Sequence, residues 1–219
     1  MSRVRNRQKN LLDLLREKQK TYNKSVNSSS IRRRVFFYSS PFARARQTAQ
    51  ACLDGLLEGN QRLVEEMNLD VQPNIILEDG IMERFFGRLD DEAIETYAYI
   101  WPVDMVNVTH TEFDVESVAA VSTRLRETIQ KIDASPLHKT AVDPSSKLRE
   151  DSDDCNGDDI IIFVSHADIL QIAQLYAADI KNVGHFSSYR FTNGEVREMA
   201  LTPDSLPDPQ PLQLPKAST

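Results

Sequence analysis

The stretch Val35–Ala49, VFFYSSPFARARQTA, decides how this chain is read. Its first four residues are a short apolar run of buried-strand type, ended by Ser39-Ser40-Pro41. From Pro41 the pattern turns helical, with Ala45, Ala49, Cys52 and Leu56 recurring on one face. The same arrangement returns at Ile160–Val164, IIIFV, the most strongly apolar run in the chain and typical of a strand covered on both faces. A helix opens after it near Ser165 and runs to about Ala178, with Ile169, Ile172, Ala173 and Tyr176 inward. Two strands that each pass directly into a helix are the parts of a parallel sheet with crossover helices.

The flanking sequence extends the pattern. Residues 10–22 read as an amphipathic helix with Leu11, Leu12, Leu14 and Leu15 on one side and Asn10 as N-cap. Residues 23–30 are a polar linker, Ile75–Leu77 is a further short strand, and 115–131 form a helix with Val118, Val121, Leu125 and Ile129 on one stripe. Residues 132–158 are polar, acidic and poor in large apolar groups, which predicts a disordered insertion. Tyr189–Phe191 and Val196–Met199 flank Asn193-Gly194, a strong hairpin signal. Residues 202–219 hold five of the ten prolines and read as a solvated, disordered tail. The expected fold is α/β: a mostly parallel sheet with helices on both faces and a C-terminal hairpin. Residues 1–201 would form a single domain.

Composition narrows the functional classes. Of the 219 residues, 40% are hydrophobic and 27% charged, as in ordinary globular proteins. Two cysteines and seven glycines exclude disulfide-framework and collagen-like folds. No apolar run approaches the length of a membrane span, and the N-terminus lacks a secretory apolar region. A reducing, cytoplasmic setting is the expectation. The net charge of −7 is uneven: residues 1–34 carry eleven Lys and Arg against Asp13 and Glu17, while the rest is strongly acidic. Such a basic segment fits either an anion-seeking arm or a first helix packed on the body. Its apolar stripe spans only about two turns and has no aromatic before Tyr22, which favours the packed helix, with no nucleic-acid or membrane partner.

In parallel sheets, ligands bind beyond the carboxyl ends of the strands, so chemistry is sought just after VFFY and IIIFV. There stand Arg44, at one helix start, and His166, at another. Between them lies the loop Glu78–Gly87, with Glu83 near its glycine. An arginine fork, a protonatable histidine and two helix N-termini in one crevice would make an anion pocket, with Glu83 as proton donor or acceptor. Plainer alternatives are a solvated helix arginine, a core histidine satisfied by backbone, and a surface acid. His185 reads as structural, and His110 and His138 as surface residues. The cysteines show no metal spacing.

Four segments carry a specific resemblance. SSPFARARQTA, IMERFFG, the Glu116-Ser117-Val118 to Arg124 helix and FVSHADIL resemble, in order, the motif segments of the histidine phosphatase, or phosphoglycerate mutase-like, superfamily. The resemblance runs from about residue 8 to 200. It implies a phosphomonoester hydrolase acting through phosphohistidine, without metal or organic cofactor, on a phosphorylated small molecule or phosphoprotein. Arg44 would bind phosphoryl oxygens. His166 would contact the phosphoryl group, helped by the backbone N–H of Ala167, where the family usually has glycine. Glu83 would protonate the leaving oxygen.

The family's nucleophile is a histidine in an Arg-His-Gly motif after a first strand. None of His110, His138, His166 and His185 stands in such a motif. The chain therefore reads as N-terminally truncated, its first strand missing. The alternative is a catalytically inactive phosphate-binding or scaffolding pseudo-phosphatase.

Overall fold

In a computed structural model, which describes residues 2–26, 32–138, 159–199 and 201–212, the elements follow in order. They are α1 (Ser2–Val26), β1 (Arg33–Ser39), α2 (Ala43–Leu57), α3 (Gln61–Glu66), β2 (Leu69–Leu77), α4 (Trp101–Val106), α5 (Val118–Asp133), β3 (Ile160–Val164) and α6 (Ala167–Ala177). The sheet has the order β2-β1-β3, and both pairings are parallel.

Side-chain alternation along β1 builds both layers. Val35 and Phe37 point one way and pack with Leu11, Leu12 and Leu15 of α1 and Cys52, Leu53 and Leu56 of α2. Phe36 and Tyr38 point the other way, against Val118, Val121 and Leu125 of α5 and Ile169 and Ile172 of α6. With period-two alternation, a central strand needs apolar residues throughout, and VFFY supplies them. Burying side chains of this size contributes about 1.5–3 kcal/mol each.

Several elements differ from the sequence expectation. The first helix spans Ser2–Val26, so Asn10 lies within it and is not its cap. Gln8 donates to the Ala51 carbonyl at 2.7 Å, tying α1 to α2. β2 is longer than Ile75–Leu77 because its ladder skips around Pro73. Val35 pairs with Val71 but Phe37 with Ile75, which leaves Pro73, without an N–H, out of register.

The hairpin at Asn193-Gly194 is the main correction to the expected fold. The turn forms, with Glu195 N–H donating to the Thr192 carbonyl at 3.0 Å and Gly194 at a φ of 77°. Its flanks pair into no ladder among the described residues. The Arg197 guanidinium takes the ladder's place, donating to the carbonyls of Arg190 (3.0 Å) and Tyr189 (3.4 Å) and to Gln174 Oε1 (3.0 Å).

The polar stretch from 132 is also ordered at its start. Ile132 is buried, and His138, expected at the surface, is tucked between Tyr38 Oη (2.8 Å) and Asp159 Oδ2 (2.9 Å). Residues 139–158 lie outside the described residues. Most of residues 201–212 are exposed, although Leu206 lies against the core and Gln210 N–H donates to the Ser188 carbonyl at 2.8 Å. Residues 213–219 lie outside the described residues. Among the described residues, no helix is long and apolar enough to cross a membrane.

Candidate active site at the carboxyl ends of β1 and β3

Both strands end beside each other, Ser39 opposite Val164, so the segments that follow them meet. Ser40 N–H donates to the Val164 carbonyl at 3.0 Å, closing the sheet at that point. α2 and α6 both start here, and no side chain caps either N-terminus among the described residues. Ala45 N–H donates to the Phe42 carbonyl at 3.0 Å, while the other first-turn N–H groups of the two helices have no side-chain cap among the described residues.

The three side chains singled out by sequence come together despite their separation in the chain. Arg44 donates from Nε to His166 Nδ1 (3.2 Å) and from Nη2 to Glu83 Oε2 (3.1 Å). Glu83 Oε2 lies 3.2 Å from His166 Nδ1. Arg44 is 63% exposed at its side chain, whereas His166 is buried. The guanidinium thus lies open to the cavity while the ring forms its floor. Ala167, also singled out, is the first residue of α6, and its backbone N–H belongs to that open first turn.

Two neighbours that sequence reasoning passed over hold the histidine. Ser40 Oγ sits 2.9 Å from His166 Nε2, and the Phe42 ring meets the imidazole edge-on with centroids 5.2 Å apart. With Nδ1 unprotonated, the ring accepts from Arg44 and donates from Nε2 to Ser40. With Nδ1 protonated, it donates to Glu83. Both tautomers find partners, so the ring can exchange a proton without being left unsatisfied. Ser40 and Phe42 stand directly after a strand and within the SSPFARARQTA segment, but neither was given a role there.

Glu83 owes its place to a braced loop. Arg124 of α5 donates to the Gly80 carbonyl (2.7 Å) and the Glu83 carbonyl (3.4 Å), and is itself held by Glu116 at 2.8 and 3.0 Å. Glu116 N–H donates to the Phe85 carbonyl at 2.8 Å. Gly80 lies so close to α5 that a Cβ there would come 1.7 Å from Thr128 Oγ1. Gly87 has a φ of +56°, and a Cβ would come 2.2 Å from the Phe113 carbonyl oxygen.

Arg84 anchors the same loop from beneath. It is buried and forks onto Asp104 at 2.7 and 2.8 Å, while its Nε donates to the Glu116 carbonyl at 2.7 Å. His110, expected at the surface, is buried 2.7 Å from Asp104 Oδ1. Sequence separation hid this cluster, since Arg84 lies 20 residues from Asp104 and 32 from Glu116.

Asp168, in the first turn of α6, is also buried and accepts from Trp101 Nε1 at 3.3 Å. Burial pushes its carboxyl up to about 7, against the opposing pull of Arg84. Among the described residues, no group of three or more His, Cys, Asp or Glu could hold a metal ion.

A model of the histidine phosphatase superfamily (branch 1) matches residues 10–143. The chain belongs to the histidine phosphatase superfamily. The matched span contains Arg44, Glu83, Glu116 and Arg124, and His166 lies beyond it. A search of curated proteins finds no match.

The crevice is one end of a larger cavity of about 1420 Å³. Its long wall is the outer edge of β3, all five residues of which are apolar and only partly covered. Leu11 and Leu15 of α1 and the segment 191–199 line the other sides. No strand of the described residues pairs with that edge of β3.

Proposed function

We propose that this chain forms the phosphoryl-binding and proton-transfer side of a phosphomonoester hydrolase working through phosphohistidine. The observation that carries the reading is the convergence of Arg44, Glu83 and His166 within 3.2 Å of one another at two uncapped helix starts. A phosphoryl group there meets the Arg44 fork, the His166 ring and the Ala167 N–H, all of which favour negative charge.

The nucleophilic histidine is proposed to come from a strand beyond these 219 residues, lying along the outer edge of β3. The uncovered apolar edge and the long groove beside it support that position, since a bare apolar strand edge is costly in water. A strand parallel to β3 would end beside Arg44 and His166. The histidine nitrogen attacks phosphorus, the ester P–O bond breaks, and Glu83 gives its proton to the leaving oxygen. Water then attacks phosphorus, the N–P bond breaks, and the Glu83 carboxylate takes the water's proton.

The other reading, a phosphate-binding protein without turnover, is favoured by one fact: no histidine of this sequence stands in an Arg-His-Gly motif. The experiment that separates them extends the chain with its own upstream coding sequence and measures p-nitrophenyl phosphate hydrolysis. Turnover that is lost in Glu83→Gln and His166→Ala supports the enzyme. An extended chain that binds phosphate without turnover supports the binding protein.

A further inference from the structure

We infer that the mouth of this site selects phosphomonoesters whose single phosphoryl group is carried on a flat apolar group, an aryl phosphate in chemical class, and rejects a second anionic group. The inference rests on the reading of Arg44 and His166 as a phosphoryl site. It adds what surrounds that site.

Aromatic surface is concentrated at the mouth. Phe42, 39% exposed, touches His166 with its ring edge, and the Arg44 guanidinium lies 5.1 Å from the same ring centroid. Phe85, two residues after Glu83, is 58% exposed, an unfavourable state for so large an apolar side chain in free solution. Its backbone is held by Glu116 on both sides, through its carbonyl at 2.8 Å and its N–H at 3.4 Å. The main chain that carries the exposed ring is therefore held. Tyr97 stacks on Phe86, with centroids 3.9 Å apart and planes 7° from parallel. Phe42, Phe85, Tyr97 and Met82 line the same cavity as Arg44 and Glu83.

The charge at the mouth runs against a second phosphate. Asp90, Asp91 and Glu92 are exposed and line that cavity. Burial pushes the Tyr97 hydroxyl up, and the carboxylates of Asp90, Glu83 and Asp91 add to this against the opposing pull of Arg44. The other basic residues lining the cavity are engaged. Arg84 is buried on Asp104, Lys18 pairs with Glu198, Arg197 pairs with Glu195, and Arg33 lies over the Tyr22 ring. A ligand with a second phosphate would bring that charge towards carboxylates, while an aryl ring would meet Phe85 and Phe42.

Calorimetric titration of the full chain with inorganic phosphate, ethyl phosphate, phenyl phosphate and a propanediol bisphosphate tests the inference. Phenyl phosphate should bind about three- to tenfold tighter than ethyl phosphate, the gain of one good ring contact. The bisphosphate should bind more weakly than ethyl phosphate. Phe85→Ala should erase the aryl preference and leave inorganic phosphate unchanged. Asp90→Asn with Asp91→Asn and Glu92→Gln should raise bisphosphate affinity several-fold, most clearly at low salt. Arg44-dependent phosphate binding without an aryl preference, or with a bisphosphate preference, would overturn this inference alone. Phosphate binding indifferent to Arg44→Ala would overturn the site reading beneath it and this inference with it.

Discussion

Replacing Arg84 with methionine should cost about 3–5 kcal/mol of folding stability, the usual loss when one partner of a buried ion pair is removed. The magnitude follows from what is left behind. Asp104 and Arg84 have no exposed side-chain surface, and the fork supplies two short bonds at 2.7 and 2.8 Å. Without it, Asp104 keeps only His110, at 2.7 Å, as a side-chain partner among the described residues, and the Glu116 carbonyl loses the Arg84 donor. Against a total stability of about 5–15 kcal/mol for a domain, this is a large fraction. Urea unfolding followed by far-ultraviolet dichroism reads the change as a lower midpoint. Asp104→Leu alone should cost a similar amount, because it strands the guanidinium instead. The double variant Arg84→Met with Asp104→Leu should recover at least about 1–3 kcal/mol of the summed losses, since no buried charge is then unpaired. A single-variant loss below about 1 kcal/mol, or strict additivity in the double variant, would refute the reasoning.

Asp168 should make stability depend on pH in a defined direction. Its folded value, about 7, lies above the ordinary 3.8, so the stabilisation is complete below about pH 4 and is lost as pH rises through about 7. The loss is at most about 4 kcal/mol, and Asp168→Asn should flatten the thermal-unfolding profile across that window; an unchanged profile would count against it. Arg124→Ala should lower stability by about 1.5–3 kcal/mol and weaken phosphate binding, with amide shifts centred on residues 80–85, because its contacts to Gly80, Glu83 and Glu116 are charge-assisted. Arg124→Lys should restore only part of this, and full restoration would mean that charge alone braces the loop. The 219-residue chain should hydrolyse p-nitrophenyl phosphate orders of magnitude more slowly than an ordinary phosphatase, because none of its histidines stands in an Arg-His-Gly motif. Rapid turnover abolished by His166→Ala would falsify that expectation.

The sheet was legible because VFFY and IIIFV are short runs apolar at every position and each passes directly into a helix, although β3 itself is only partly covered. Arg44 and His166 followed from them, since a parallel sheet brings its carboxyl ends to one edge. Less visible was anything that depends on pairing across the chain. Pro73 hid most of β2, because a proline argues against a strand unless the ladder skips it, as it does here. Asn193-Gly194 does make its turn, but Arg197 takes the carbonyls that a ladder would have used. His110 and His138 looked like surface residues because their neighbours are polar. Their burial comes from Asp104 in one case and Tyr38 with Asp159 in the other, partners distant or inconspicuous in sequence. The brace of Glu116 and Arg124 stood within a recognised motif, but its target, the loop under Glu83, was visible only in three dimensions.

The central claim is that Arg44 and His166 belong to one anion site rather than to a diffuse basic surface. Titration with inorganic phosphate or vanadate, comparing Arg44→Ala with Arg46→Ala, tests it most directly. Arg44 reaches His166 and Glu83, whereas Arg46 stands exposed two positions further along α2, where a helix turns its side chain away. Loss of the Arg44 fork should weaken binding by roughly ten- to a hundredfold, the equivalent of about 1.5–3 kcal/mol, while Arg46→Ala leaves it nearly unchanged. Equal losses from both arginines would contradict the account.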